Sequence, residues 1–217
     1  MTAADPVQLA MFPLQSALLP DEELPLRIFE PRYTALVRDC LRDTDPRFGV
    51  VLIARGREVG GGDVRCDVGA VARITECVDF GGSGRFALRC RMGERIRVCE
   101  WLPDDPYPRA TVQPWPDEPG EPVTVGQLRE LEDRVMALFE RIAAVRDVPL
   151  PGRDEVLGTD DGTADPGARL YALASRLPMG QADRYSVLAA PSAADRLAAL
   201  GEAVETVAAM IEFQLSD

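Results

Sequence analysis

The sequence predicts an α+β chain: a β-rich, barrel-like domain of about six or seven strands with one amphipathic helix, followed by an α-helical bundle. Three observations predict it. Up to Trp101 the apolar residues form short runs or alternate with a period of two. Prolines at 103, 106, 108, 114, 116, 119 and 122 then break that pattern. Beyond Thr124 the apolar residues recur at spacings of three and four. The expected domains are therefore residues 1–118 and 119–217.

Met11 to Leu14 and Leu24 to Phe29 read as two strands, separated by the turn-rich Leu18-Leu19-Pro20-Asp21-Glu22. Pro31 stands at a first helical position, and Tyr33, Leu36, Val37, Cys40 and Leu41 form the apolar face of a helix of about three turns. FGVVLIA, Phe48 to Ala54, is a continuous apolar run, as a strand buried on both faces requires. Val68 to Val78 alternates, Phe80-Gly81-Gly82-Ser83-Gly84 turns the chain, and Phe86, Leu88, Cys90 and Met92 return with the same period, so a hairpin is expected. A next strand carries Ile96 and Val98, and Arg109 to Gln113 supplies the last.

In the second half, Thr124 and Gln127 make a capping box for a helix with Leu128, Leu131, Val135, Leu138, Phe139, Ile142 and Val145 on one stripe. Val148 to Ala164 reads as an acidic loop. Asp165-Pro166 starts a helix carrying Leu170, Leu173 and Leu177, and a short helix follows over Gln181 to Ala189. Ser192 and Asp195 cap a final helix with Leu197, Leu200, Val204, Val207 and Ile211.

Composition excludes whole chemistries. The chain of 217 residues has no His, and all 24 of its cations are Arg. Without imidazole there is no Ser-His-Asp or Cys-His catalysis and no histidine metal ligand. Without lysine there is no P-loop lysine, Schiff base or Ser-Lys dyad. A net charge of -12 opposes nonspecific contact with nucleic acid or anionic membranes. The five cysteines, Cys40, Cys66, Cys77, Cys90 and Cys99, include no CxxC pair and read as buried reduced thiols of a cytoplasmic protein. No stretch has the length or flanks of a membrane span or export signal.

The candidate sites are few. Gly60-Gly61-Gly62-Asp63 and Gly81-Gly82-Ser83-Gly84 lack a following helix start or GK[ST] ending and read as turns rather than phosphate cradles. Adjacent carboxylates such as Glu22-Glu23 and Asp104-Asp105 point apart, so none forms an acid-base pair by itself. Asp154, Glu155, Asp160, Asp161 and Asp165 fit no EF-hand spacing and read as a solvated loop. No metal or cofactor is expected. Arg89 and Arg91 share one strand face, Arg95 and Arg97 share that of the next, and Arg85 sits at the turn, an arginine ladder that either meets phosphates or pairs with the chain's own acids. Trp101, Tyr107 and Trp115 bracket the proline-rich connection, where they either anchor a peptide or seal the domain junction.

Several segments in order carry a family resemblance. FPL at 12–14, LLP at 18–20 and LPLRIFEPRY at 24–33, followed by FGVVLIA and DVGAVARI at 67–74, resemble the N-terminal substrate-binding domain of Lon proteases. Arg169 to Pro178, Gln181 and the last capped helix are similar to that domain's helical extension. The resemblance implies a PUA-like barrel followed by helices, used to recognise protein substrates and to contact subunits. The chain resembles a stand-alone version, with no lysine for the family's ATPase and protease chemistry.

The leading expectation is thus a noncatalytic module that binds unfolded or exposed hydrophobic protein segments and presents them to a separate protease or unfoldase. Phe29, Tyr33, Trp101 and Trp115 are the expected contact residues. The alternative is an RNA-binding module using Arg85, Arg89, Arg91, Arg95 and Arg97, since PUA-like barrels elsewhere bind RNA. A third class, an enzyme on a small acidic or thiol site, requires a pocket with a strongly perturbed carboxylate or cysteine.

Overall fold

A computed structural model describes residues 5–55, 64–82, 84–158 and 165–216. The chain divides into two compact units, Met1–Pro116 and Asp117–Asp217.

The first unit is a six-stranded mixed sheet with one helix. Its strands are β1 (Val7–Leu14), β2 (Glu23–Ile28), β3 (Arg47–Arg55), β4 (Val64–Asp79), β5 (Phe86–Leu102) and β6 (Arg109–Pro114), with α1 (Pro31–Cys40) between β2 and β3. The sheet order is β2-β5-β4-β3-β1-β6, and β5 also pairs with β6. Five strands therefore close into a ring and β2 is appended to β5, leaving its far side unpaired among the described residues. Among the described residues only β1 and β3 run parallel, and the five other pairings are antiparallel.

Two apolar clusters line this sheet. One gathers Phe12, Tyr33, Leu36, Val37, Phe48, Phe86, Leu88, Cys90 and Met92, which places α1 over the sheet. The other gathers Met11, Val51, Val71, Ile96, Val98, Ala110 and Val112. Successive residues of β1 and β3 belong to different clusters, which is why FGVVLIA is apolar throughout. Gly69, in the DVGAVARI segment, allows β3 to approach: a Cβ there would lie 2.0 Å from the Val50 carbonyl oxygen.

One expectation needs correction here. The sequence divides Phe86 to Trp101 into two strands, whereas β5 runs unbroken from Phe86 to Leu102. The register with β4 steps from Ala72↔Met92 to Ala70↔Arg95, so one extra residue bulges at Gly93-Glu94. The bulge reverses the alternation. Cys90 and Met92 enter the first cluster, and Ile96 and Val98 enter the second. The arginines between them change faces for the same reason, so Arg89 and Arg91 do not continue into Arg95 and Arg97.

The second unit contains α2 (Val125–Arg146), α3 (Arg153–Leu157), α4 (Pro166–Ala174), α5 (Gln181–Leu188) and α6 (Ala193–Ser216). Its helix starts follow the sequence closely. Thr124 and Gln127 cap each other's backbone N–H groups, Asp165 accepts from the Ala168 N–H, and Asp195 accepts from the Ser192 N–H while the Ser192 hydroxyl accepts from the Asp195 N–H. α3 lies within the stretch expected to be loop, because Val156 and Leu157 are apolar enough to be buried. The α2 stripe buries Leu131, Val135, Leu138 and Ala143, but Val145 in its last turn is exposed.

Two arginines anchor the unit from inside. The Arg169 guanidinium donates to Glu132 Oε1 at 3.0 and 2.5 Å and to the Leu157 carbonyl at 3.1 Å. Arg196, 1% exposed, donates to both oxygens of Asp117 at 3.0 and 2.5 Å and to the Gly167 carbonyl at 3.3 Å, and lies 3.9 Å over the Tyr171 ring. No described helix is long and apolar enough to cross a membrane.

Candidate functional site

Cross-strand partners in a sheet point to the same face. Val78, Ala87 and Arg27 form one rung across β4, β5 and β2. Two residues along, on the same face, stand Phe80, Arg85 and Phe29. That face carries an apolar patch with a cationic margin: Phe29 is 63% exposed, Phe80 57% and Val78 54%. Between them runs a groove of about 700 Å³ lined by Arg27, Ile28, Phe29, Phe80, Arg85 and Ala87, with Phe86 beneath. A second hollow of about 480 Å³ shares Phe29 and continues along α1 past Thr34, Ala35 and Arg38 to Gly82 and Gly84. The Thr34 hydroxyl donates to the Gly84 carbonyl at 2.5 Å and ties the hairpin tip to the helix.

The charges around the groove are asymmetric. Asp39 accepts from Arg42 at 2.8 Å through one oxygen and from the Tyr107 hydroxyl at 2.9 Å through the other. Glu30 accepts from Arg32 at 3.0 Å. Arg27, Arg38 and Arg85 make no ion pair with any described residue. Burial and the bond to Asp39 push the Tyr107 hydroxyl up to about 12, so it stays a proton donor.

The expected contact residues part company here. Phe29 lines the groove. Tyr33 does not: it is 4% exposed, stacked on Phe12 with ring centroids 4.0 Å apart and covered by Arg32 at 4.4 Å. Trp115 is 6% exposed, with the Arg95 and Arg97 guanidinium groups 4.5 and 4.1 Å from its ring centroid. Their rings are covered by neighbouring side chains, so unlike Phe29 they offer little exposed surface. Trp101 is half-buried under Arg65 at 4.8 Å. Phe80, read from sequence as a turn residue, is the aromatic that sequence reasoning missed; its position beside the glycine turn was the signal that it stands at a hairpin tip.

The arginine ladder is likewise dispersed. Arg89 pairs with Glu76 at 3.3 Å and Arg91 with Asp21 at 3.4 Å. Arg95 and Arg97 serve Trp115, and Arg85 alone of the five borders the groove.

The thiols are inert where they are buried. Burial pushes Cys40 and Cys90 up to about 12, and neighbouring Asp43 and Asp39 add to this at Cys40. The expectation of uniformly buried cysteines needs correction: Cys66 and Cys77 are half-buried, and Cys99 is exposed where β5 gains an extra residue against β6. Among the described residues no cluster of three or more Cys, Asp or Glu could hold a metal ion. Asp160, Asp161 and the Gly60–Asp63 stretch lie outside the described residues.

Residues 8–206 match the family model of the ATP-dependent protease La (LON) substrate-binding domain, and the chain belongs to that family. Lon protease 1 of Herpetosiphon aurantiacus is 28% identical over 93% of this chain, which spans 24% of that relative's length. The crystal structure of a Lon N-terminal domain protein from Xanthomonas campestris superposes with a TM-score of 0.61 at 30% identity, covering 89% of this chain and 96% of that one. The N-terminal domain of the Mycobacterium avium complex Lon protease shares the fold, with a TM-score of 0.62 at 16% identity over 92% of this chain and 98% of its own.

Proposed function

We propose that this chain is a noncatalytic recognition module that binds exposed apolar segments of unfolded proteins in the groove beside Phe29 and Phe80, and that it hands them to a protease or unfoldase supplied by another polypeptide. The observation that carries this reading is the pair of aromatic side chains, both more than half exposed, standing over a groove of about 700 Å³. Large apolar side chains are left in water at a cost, and contiguous ones mark interaction sites. Membership of the Lon substrate-binding family supports the same assignment. The chain's own side chains hold no lysine or imidazole for the known peptidase or nucleotide-hydrolysing sites.

Fluorescence anisotropy of a labelled, permanently alkylated and unfolded protein tests the reading. The full chain is expected to bind it, and Phe29→Ser/Phe80→Ser to bind at least about tenfold more weakly, since buried aromatic anchors dominate such interfaces. Equal binding by the variant, with an unchanged melting temperature, refutes the site. No binding by either refutes the function.

A further inference from the structure

We infer that the groove selects apolar segments that carry acidic side chains, with Arg27 and Arg85 as the carboxylate readers. This rests on the reading of the groove as a peptide site and names the class of segment it takes.

Charge complementarity carries the argument. The whole chain has a net charge of -12, and many of its arginines are held by its own acids. Arg73 is held by Asp45 at 2.5 Å and by Glu94 at 3.1 Å, Arg89 by Glu76, Arg91 by Asp21 and Arg42 by Asp39. Arg27 and Arg85 line the same groove without such a partner among the described residues, and Arg38 stands in the adjoining hollow in the same condition. The carboxylate lining that hollow, Asp39, has both oxygens engaged. The groove therefore offers apolar contact along its floor and, at its margin, guanidinium groups with no ion-pair partner among the described residues. A guanidinium holds a carboxylate through a planar fork of N–H donors, which a neutral amide cannot match.

The source of the carboxylate is an internal Asp or Glu rather than a chain end. Phe29 lines both hollows, so a segment laid across it continues from one into the other instead of ending in the first. Side chains hold the segment, because the neighbouring strand β2 carries Pro25, which has no N–H to offer a further strand. A peptide fits better than RNA. Arg89 and Arg91, which would extend a phosphate track along the same face, are already paired, and the chain's overall charge repels a polyanion beyond the immediate margin.

The test uses the full chain and four end-labelled peptides sharing one Leu/Phe core. Three are blocked at both ends and flanked by Glu, Gln or Arg; the fourth has Gln flanks and a free C-terminus. An oligouridine is the fifth probe. At low salt the Glu peptide is expected to bind about 3- to 10-fold more tightly than the Gln peptide, as two exposed ion pairs supply. The Arg peptide is expected to bind most weakly, and high salt is expected to narrow the spread. Arg27→Gln/Arg85→Gln should equalise the Glu and Gln peptides by weakening the Glu peptide more than the Gln peptide, with an unchanged melting temperature confirming the fold.

Equal binding of Glu and Gln peptides by the unaltered chain, with both lost in Phe29→Ser/Phe80→Ser, overturns the inference and leaves the groove reading standing. A free C-terminus that matches the Glu flanks overturns the choice of an internal carboxylate. Tighter binding of oligouridine than of any peptide overturns the peptide choice. Failure of every peptide overturns the groove reading together with the inference.

Discussion

Removing Asp117 should destabilise the helical unit more than removing Arg196, although both substitutions break the same ion pair. The Arg196 side chain is 1% exposed and Asp117 34%. In Asp117→Ala the guanidinium loses both carboxylate bonds while it remains enclosed by Gly167 and Tyr171. Stranding one partner of a buried pair costs about 3–5 kcal/mol. The opening on the Asp117 side admits water, which reduces the expected loss to about 2–3 kcal/mol. In Arg196→Met the apolar stem is retained, and Asp117 is left where solvent reaches it. The remaining losses are the bond to the Gly167 carbonyl and the contact with the Tyr171 ring, about 1 kcal/mol in all. Far-UV circular dichroism follows the helices, while tryptophan emission follows the first unit, where both Trp101 and Trp115 lie. Urea titrations read by the two signals therefore assign the loss to its unit. For about 100 residues, the Asp117→Ala loss corresponds to a fall in melting temperature of roughly 8–20 °C. If Arg196→Met costs as much as Asp117→Ala, or more, the argument from unequal burial is refuted.

Two further outcomes follow from the first unit. Gly69→Ala should cost about 3 kcal/mol, because the new Cβ meets backbone at 2.0 Å, whereas Gly49→Ala should cost about 1 kcal/mol, since its nearest neighbour is the flexible end of Met11 at 2.5 Å; equal losses by urea-induced tryptophan shifts would contradict this. Cys40 and Cys90 both ionise near 12 when folded against an ordinary 9.0, so the unfolded chain releases these protons first and stability should be full below pH 9 and fall between pH 9 and 12. Native alkylation at pH 8 read by mass spectrometry should modify exposed Cys99 well before Cys40 or Cys90, and early labelling of either buried thiol counts against their burial.

The fold was legible wherever local chemistry and packing agree. Pro31, Asp165-Pro166 and the Thr124-Gln127 and Ser192-Asp195 boxes mark helix starts that depend on a few adjacent residues. The period of two over Val68 to Met92 specified the hairpin for the same reason. What stayed hidden is non-local. Nothing near Gly93 and Glu94 announces a bulge, because it exists only relative to β4, and the reversal of faces dispersed the arginine ladder. Tyr33 and Trp115 are aromatic in the same way as Phe29 and Phe80, and only the positions of Phe12, Arg95 and Arg97 decide which rings are covered. Nothing beside Arg196 in sequence marks it as buried; its place within the unit depends on Asp117, 79 positions away.

The appended strand β2 has a bearing on how concentrated this protein can become. A bare strand border is a template on which like chains stack into fibres, and ring closure removes that hazard from most of the sheet while the far side of β2 stays unpaired among the described residues. There the residues flanking Pro25 are Leu24, turned inward, and Leu26, while charged Glu23 and Arg27 stand further out. A border short of one donor and studded with opposite charges is poorly suited to polymerise with itself, so crowding like chains against β2 offers them no continuous row of donors to extend.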